Sequence, residues 1–244
     1  MRPLSAAQLL DAWEQGLSQP AYRRVLPLLA AVSPDSSIDT VATLTIGERD
    51  RSLLTVREWT FGAQLAGVAN CSECDERLEW LLSAADLYVE PQFDAARELL
   101  LDADGYCINF RAPNISDLAA PAGCADIATA HRALLERCVL KARFNDQEIP
   151  ASELPGEIVA SIEKRIAEAD PQADLKIDLR CPACNGSWEA IFDIESFFWT
   201  EINAWAQRTL WEVHLLASAY GWCESEILIL TPGRRQFYLG LVSG

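Results

Sequence analysis

The apolar positions of this chain follow two different periods. Over much of the sequence they recur every three to four residues, the spacing of one helix face, with Gly or Pro at several of the breaks. The helices predicted in this way cover residues 5–32 (two helices broken at 19–20), 46–59, 125–139, 154–169, 195–220, 224–230 and 232–242. The longest of them, 195–220, contains no Gly or Pro and is followed by Gly221, a residue typical of a helix end.

The remaining apolar positions alternate with polar ones, as expected for half-buried strands. Strands are predicted over residues 64–70, 77–82, 98–101, 106–110, 174–180 and 187–193, while residues 142–144 and a turn separate the helices predicted over 125–139 and 154–169. The sequence therefore predicts an α+β protein in which a small antiparallel sheet is flanked by N- and C-terminal helices. Its expected parts are an N-terminal helical extension (1–45), an α+β core with inserted helices (46–194) and a C-terminal helical segment packed on that core (195–244).

Two Cys-x-x-Cys pairs, Cys71 with Cys74 and Cys181 with Cys184, carry the clearest chemistry. Each pair lies at a turn between two predicted strands, where both sulfurs can reach one ion about 2.3 Å away. Four thiolates would fill a tetrahedral site and leave no position for water, so we expect one structural Zn ion in a split zinc ribbon. The 106 intervening residues exceed the spacing of a compact ribbon. The alternative is a pair of redox motifs, which would require a helix after each Cys-x-x-Cys.

The sequence shows no catalytic arrangement. Its two histidines, His131 and His214, lie within predicted helices and beside no serine, cysteine or carboxylate arrangement that marks a triad. Glycine-rich phosphate loops and the His-Glu-x-x-His zinc motif are absent from the sequence. We therefore expect a protein that is not an enzyme. The four cysteines without a partner at ligand spacing are expected to be small buried apolar residues, namely Cys107, Cys124, Cys138 and Cys223.

Charge narrows the set of partners. The chain has 36 acidic and 20 basic residues, a net charge of −16, which repels phosphate backbones and anionic membranes. No segment approaches the roughly 18–20 uninterrupted apolar residues of a membrane span. The N-terminus runs directly into an amphipathic pattern rather than a signal peptide. We expect a cytoplasmic protein that binds neither nucleic acid nor membrane.

Several segments together resemble the baseplate hub assembly chaperone family of T-even-type contractile phage tails and phage-tail-like injection systems. The segments that carry the resemblance are residues 48–54, Arg57-Glu58, the two cysteine pairs, residues 109–118, 134–139 and 212–217, and Tyr220-Gly221-Trp222. The resemblance implies a non-enzymatic chaperone whose partners are the baseplate hub or other tail proteins, and it implies no catalytic residues. The alternative drawn from the cysteines is a zinc-ribbon nucleic-acid or transcription-associated binding protein. The acidic charge disfavours that alternative.

The C-terminal helices are the expected partner surface. Five of the eight tryptophans lie in the last quarter of the chain, and tryptophan is favoured at the centres of protein interfaces. On the helix predicted over 195–220, Trp199, Trp211 and Leu215 lie off the main apolar stripe and are the candidate partner-binding residues. The alternative is that Trp211 and Leu215 pack under the terminal helices.

Overall fold

The computed structural model describes residues 1–90 and 98–242. Its α-helices are α1 (Ala6–Leu17), α2 (Leu26–Val32), α3 (Ile38–Val41), α4 (Ile46–Phe61), α5 (Ile127–Cys138), α6 (Gly156–Ala169), α7 (Ile194–Tyr220), α8 (Glu224–Ile229) and α9 (Pro232–Val242). Its strands are β1 (Gln64–Asn70), β2 (Arg77–Ser83), β3 (Leu99–Ala103), β4 (Tyr106–Phe110), β5 (Val139–Phe144), β6 (Gln147–Glu148), β7 (Lys176–Arg180) and β8 (Ser187–Ile191). The predicted α+β class is confirmed, and each predicted element has a counterpart within a few residues.

The predicted antiparallel pairing is confirmed, but in the described residues it is divided among three sheets rather than one. Strand β1 pairs with β2, β7 pairs with β8, and the four strands between them in the chain form a sheet in the order β3-β4-β5-β6. Alternation of apolar and polar residues specifies which face of a strand is buried, but it does not specify which strands pair. The two outer hairpins each close through a short turn that contains one of the cysteine pairs.

The chain divides into two compact units, Met1–Ile38 with Glu195–Gly244, and Asp39–Ile194. The first unit is helical in its described part. Helix α1 begins at a capping box in which Ser5 Oγ accepts from the Gln8 N–H at 3.3 Å and Gln8 Oε1 accepts from the Ser5 N–H at 3.1 Å. Helix α7 ends at Tyr220 and is followed by Gly221, whose φ of +71° lies in the left-handed region that glycine adopts without strain. This helix end confirms the predicted stop.

The second unit has an apolar core between the four-stranded sheet and helices α5 and α6. Ile108 and Phe110 on β4 and Ile162 on α6 are fully buried in this core. The other buried members of the cluster are Leu101, Leu135, Ala142, Leu154 and Ile158. Burial of eight apolar side chains stabilises this region without any contribution from a metal, at roughly 1.5–3 kcal/mol for each fully buried large side chain.

A buried carboxylate connects the end of β4 to the last turn of α5. Asp117 is fully buried and accepts from Arg111 at 2.6 and 3.0 Å and from Arg137 at 2.9 Å. Its Oδ2 also accepts from the Asn114 N–H at 2.9 Å. Burial alone would raise the pKa of Asp117, but hydrogen bonds from Arg111 and Asn114 outweigh that effect and lower the pKa.

Candidate metal centre

The first cysteine pair sits in a tight turn at the end of β1. The Cys71 N–H donates to the Glu76 carbonyl at 2.9 Å, and the Asp75 N–H donates to the Cys71 carbonyl at 3.0 Å. Asp75 has a φ of +59°, which reverses the chain directly after Cys74. The Glu73 N–H points at Cys71 Sγ at 3.4 Å, so the turn presents a backbone donor to a sulfur.

The second pair repeats this turn at the end of β7. The Cys181 N–H donates to the Gly186 carbonyl at 2.8 Å, and the Asn185 N–H donates to the Cys181 carbonyl at 3.0 Å. Asn185 has a φ of +62°, matching Asp75 in the first turn. In this turn the backbone N–H points at the second cysteine of the pair rather than the first: the Gly186 N–H lies 3.4 Å from Cys184 Sγ. Asn and Asp tolerate the left-handed conformation better than most residues, which suits them to this position.

The two turns bring all four predicted sulfurs together. The ligand atoms of Cys71, Cys74, Cys181 and Cys184 lie within 4.8 Å of one another. Two of the contacts cross between the turns: Cys71 to Cys184 and Cys74 to Cys181 are each 3.6 Å apart, Sγ to Sγ. A disulfide needs about 2.05 Å, whereas a tetrahedron with metal–sulfur bonds of about 2.3 Å has edges of about 3.8 Å. The spacing therefore fits a metal ion and does not fit disulfides.

Electrostatics at the site favour a bound cation. The Cys184 N–H lowers the pKa of Cys181 to about 7. For Cys184 the Gly186 N–H lowers the pKa, but partial desolvation and hydrogen bonds with the neighbouring thiols outweigh it and raise the pKa to about 12. Four thiols this close cannot all ionise without a compensating positive charge, so binding of a metal ion would release protons.

The first hairpin of the site is acidic. The first turn and the start of β2 carry four carboxylates, Glu73, Asp75, Glu76 and Glu79, against the single cation Arg77. The Glu73 carboxylate reaches the second turn, where its Oε2 lies 3.7 Å from Cys184 Sγ. Zinc ribbons that read nucleic acid require basic side chains near the metal, and the first hairpin has the opposite balance.

Sulfur exposure divides the site into two layers. Cys71 and Cys181 are buried, whereas Cys74 and Cys184 are exposed.

Of the cysteines outside the cluster, Cys138 is buried as predicted, and burial raises the pKa of its thiol to about 11. The prediction is wrong for Cys107 and Cys223, which are exposed, and for Cys124, which is half-buried. Cys107 lies on the outward face of β4, and Cys223 occupies the cap of α8, where its N–H donates to Glu226 at 2.9 Å.

The three candidate partner-binding residues have different environments in the first unit. Trp211 is 61% exposed, and its ring lies 5.8 Å from that of His214. Leu215 is half-buried. Trp199 is half-buried and packs against Gly16, where a Cβ would lie 2.5 Å from the indole ring, and the Arg24 guanidinium lies 6.0 Å from the ring centre. Trp211 is thus the most accessible of the three.

Sequence reasoning missed another buried acid in the second unit, in addition to Asp117. On α4, Arg49 Nε donates to Asp50 at 2.7 Å, and both side chains are less than 10% exposed. Burial raises the pKa of Asp50 to about 6, although Arg49 acts in the opposite direction. The pattern Glu-Arg-Asp-Arg at residues 48–51 reads as a polar helix face, so nothing in the sequence distinguishes these two residues from exposed neighbours.

The fold and the cysteine cluster define an α+β protein with a cysteine ribbon that is compatible with a metal site. A family model described as T4 bacteriophage base plate protein matches residues 25–199, well over half of the chain, and includes both cysteine pairs. The chain therefore belongs to this baseplate family. No curated protein and no solved structure matches it. Within the described residues, no helix combines the length and the apolarity needed to cross a membrane.

Proposed function

We propose that this protein is a non-enzymatic assembly chaperone for the baseplate hub of a contractile tail or phage-tail-like injection particle. The match to the baseplate family over residues 25–199 is the main support for this proposal, because that family is described as a bacteriophage base plate protein. The narrower role in hub assembly rests on the resemblance of the segments described above. A site made of four cysteines supports a structural rather than a catalytic use of a metal, since protein ligands would fill every position.

The metal that fits this site best is zinc. Thiolate ligands in a tetrahedral arrangement select zinc or iron, and two hairpin turns of this kind form a zinc ribbon. Zinc would hold the turn after β1 to the turn after β7, across 106 residues of intervening chain. Elemental analysis of the purified protein should give one equivalent of zinc and no iron. Less than half an equivalent under non-chelating conditions would contradict this assignment.

Trp211 is the proposed contact with a tail protein, because a large apolar ring that is 61% exposed is favoured at interface centres. Trp211→Ala should weaken binding to the hub protein at least tenfold and leave the melting temperature unchanged. Trp199→Ala is the matched control on the same helix. It should lower the melting temperature, because it removes packing against Gly16, and binding by the folded fraction should persist. Unchanged binding by Trp211→Ala would contradict the proposed contact.

Deletion of the gene tests the chaperone role directly. Particles assembled without the protein should lack hubs, and expression of the chain from a plasmid should restore them. Mass spectrometry of mature particles should find the chain far below the copy number of hub proteins. Normal hubs in the deletion strain, or a full complement of the chain in mature particles, would overturn the chaperone assignment.

A further inference from the structure

A groove runs between helices α5 and α6 in the second unit. It encloses about 260 Å³. Its apolar wall consists of Leu134, Leu135 and Cys138 on α5 and Ile166 and Ala167 on α6. Known small-molecule sites enclose about 300–1,000 Å³, so this groove suits one or two anchoring side chains rather than a whole cofactor.

Three acidic residues line the groove, namely Glu163, Asp170 and Asp174. His131 also lines it, and none of the described lining residues is Lys or Arg. Glu163 contacts His131 across the mouth, which ties α6 to α5. Asp174 lies 3.4 Å from Lys176 in an exposed ion pair, an interaction that contributes little in water. Asp170 accepts from the Gly47 N–H at 2.9 Å and is buried.

Shape and charge together define the occupant. A groove walled by two helices, with side chains at four-residue spacing such as Leu134 and Cys138, is the surface used to bind an amphipathic helix. The acidic lining selects a basic partner, and the unit Asp39–Ile194 as a whole carries 28 acidic against 14 basic residues. An acidic segment or a phosphate group would be repelled.

We propose that the α5–α6 groove binds a basic amphipathic segment of a baseplate protein, with its aliphatic side chains in the groove and Lys or Arg facing Glu163 and Asp174. This inference rests on the proposed function, because the partner is taken to be a protein of the same particle. It assigns a second contact, separate from Trp211 and from the four cysteines.

The test uses the full-length protein and fluorescent peptides that tile the hub proteins of the same particle. The peptides that bind should combine aliphatic residues with Lys or Arg, and their affinity should fall as salt is raised. Ala167→Trp fills the groove and should weaken binding at least tenfold. Ala160→Trp, at an exposed position of α6 that does not line the groove, is the matched control and should stay within twofold.

Two charge-reversal variants test the acidic lining of the groove separately. Glu163→Lys should weaken binding about fivefold at low salt, whereas Glu168→Lys, exposed on the same helix and outside the groove, should change it little. Equal effects of Ala167→Trp and Ala160→Trp would overturn the groove assignment, as would a set of binding peptides without basic residues. If the wild-type chain binds intact hub protein and Ala167→Trp binds it equally well, the groove inference fails and the proposed function stands. If the wild-type chain does not bind hub protein, both fail.

Discussion

Two regions of the second unit reach a defined structure by different means. The sheet core, formed by β3–β6 with α5 and α6, buries a cluster of eight apolar side chains. The ribbon, formed by the hairpins β1–β2 and β7–β8 with their cysteine turns, has strands that bury alternate residues on one face only. Isolated two-stranded hairpins are marginal in water. We therefore expect apolar burial to suffice for the sheet core and the ribbon to depend on a cross-link at its turns.

The apolar contact between the two hairpins supports this view. Trp80 on β2 meets Phe192, just after β8, edge to face with ring centres 5.9 Å apart. Such aromatic pairs contribute about 0.5–1.5 kcal/mol beyond their buried area. Structural zinc sites contribute about 10–16 kcal/mol of apparent binding free energy, comparable with the stability of a whole domain. A zinc ion bound by the four cysteines would therefore be the larger of the two links.

Loss of the metal should produce the largest effect. With Cys181→Ser, or with a chelator, the amides of the ribbon should lose hydrogen-exchange protection, while those of the sheet core keep most of theirs. The reason is that closing a loop of more than 100 residues carries an entropic cost that the metal offsets. Cys107→Ser, an exposed cysteine outside the cluster, is the control and should behave as wild type. Equal loss of protection in both regions would erase the proposed difference.

Truncation of a buried side chain in the sheet core should have the second-largest effect. Ile162→Ala removes a fully buried side chain and should lower the free energy of unfolding by about 2–5 kcal/mol, measured by urea denaturation. Ile127, on α5, is 89% exposed, so Ile127→Ala should change the free energy of unfolding by less than about 0.5 kcal/mol. The folded Ile162→Ala protein should still bind one metal ion. Loss of the metal from the folded variant would show that the two regions are not separable.

Asp117→Asn should cost about 1–3 kcal/mol at neutral pH, because two arginines lose a charged acceptor. Since the pKa of Asp117 is lowered in the folded protein, its contribution is present above the ordinary value of 3.8. The contribution is lost as the pH falls through the lowered pKa. The difference between wild type and variant should accordingly shrink in acid. A difference in urea stability that is constant with pH would argue against this role.

Asp50 should make a smaller contribution to stability, with a pH dependence opposite to that of Asp117. Its pKa is raised to about 6, so it adds stability below the ordinary value of 3.8, and this stability is lost as the pH rises through about 6. Asp50→Asn should therefore be more destabilising at pH 5 than at pH 8, by about 1 kcal/mol. Urea denaturation of both proteins at the two pH values measures this. A larger penalty at pH 8 would contradict the burial argument.

Local patterns predicted the elements and the cysteine site, because helix and strand periods and the Cys-x-x-Cys spacing are short-range signals. The repeated turn at Asp75 and Asn185 explains why both pairs could be assigned to hairpins. Pairing between distant strands could not be predicted, because a strand shows the same alternation of apolar and polar residues whether the strands form one sheet or three. Nor could the burial of Asp50 and Asp117, because their surroundings come from residues distant in the chain. The α5–α6 groove arises from the packing of two helices that the sequence predicts only separately.

Native mass spectrometry of the protein measures directly whether a metal ion is bound by the four cysteines. At neutral pH the folded protein should carry the mass of one zinc ion, and Cys71→Ser or Cys184→Ser should lose most of it. Cys138→Ser, with its buried thiol outside the cluster, should retain it. A wild-type mass equal to the bare chain, with the ribbon amides still protected from exchange, would contradict the account that a metal holds these hairpins together.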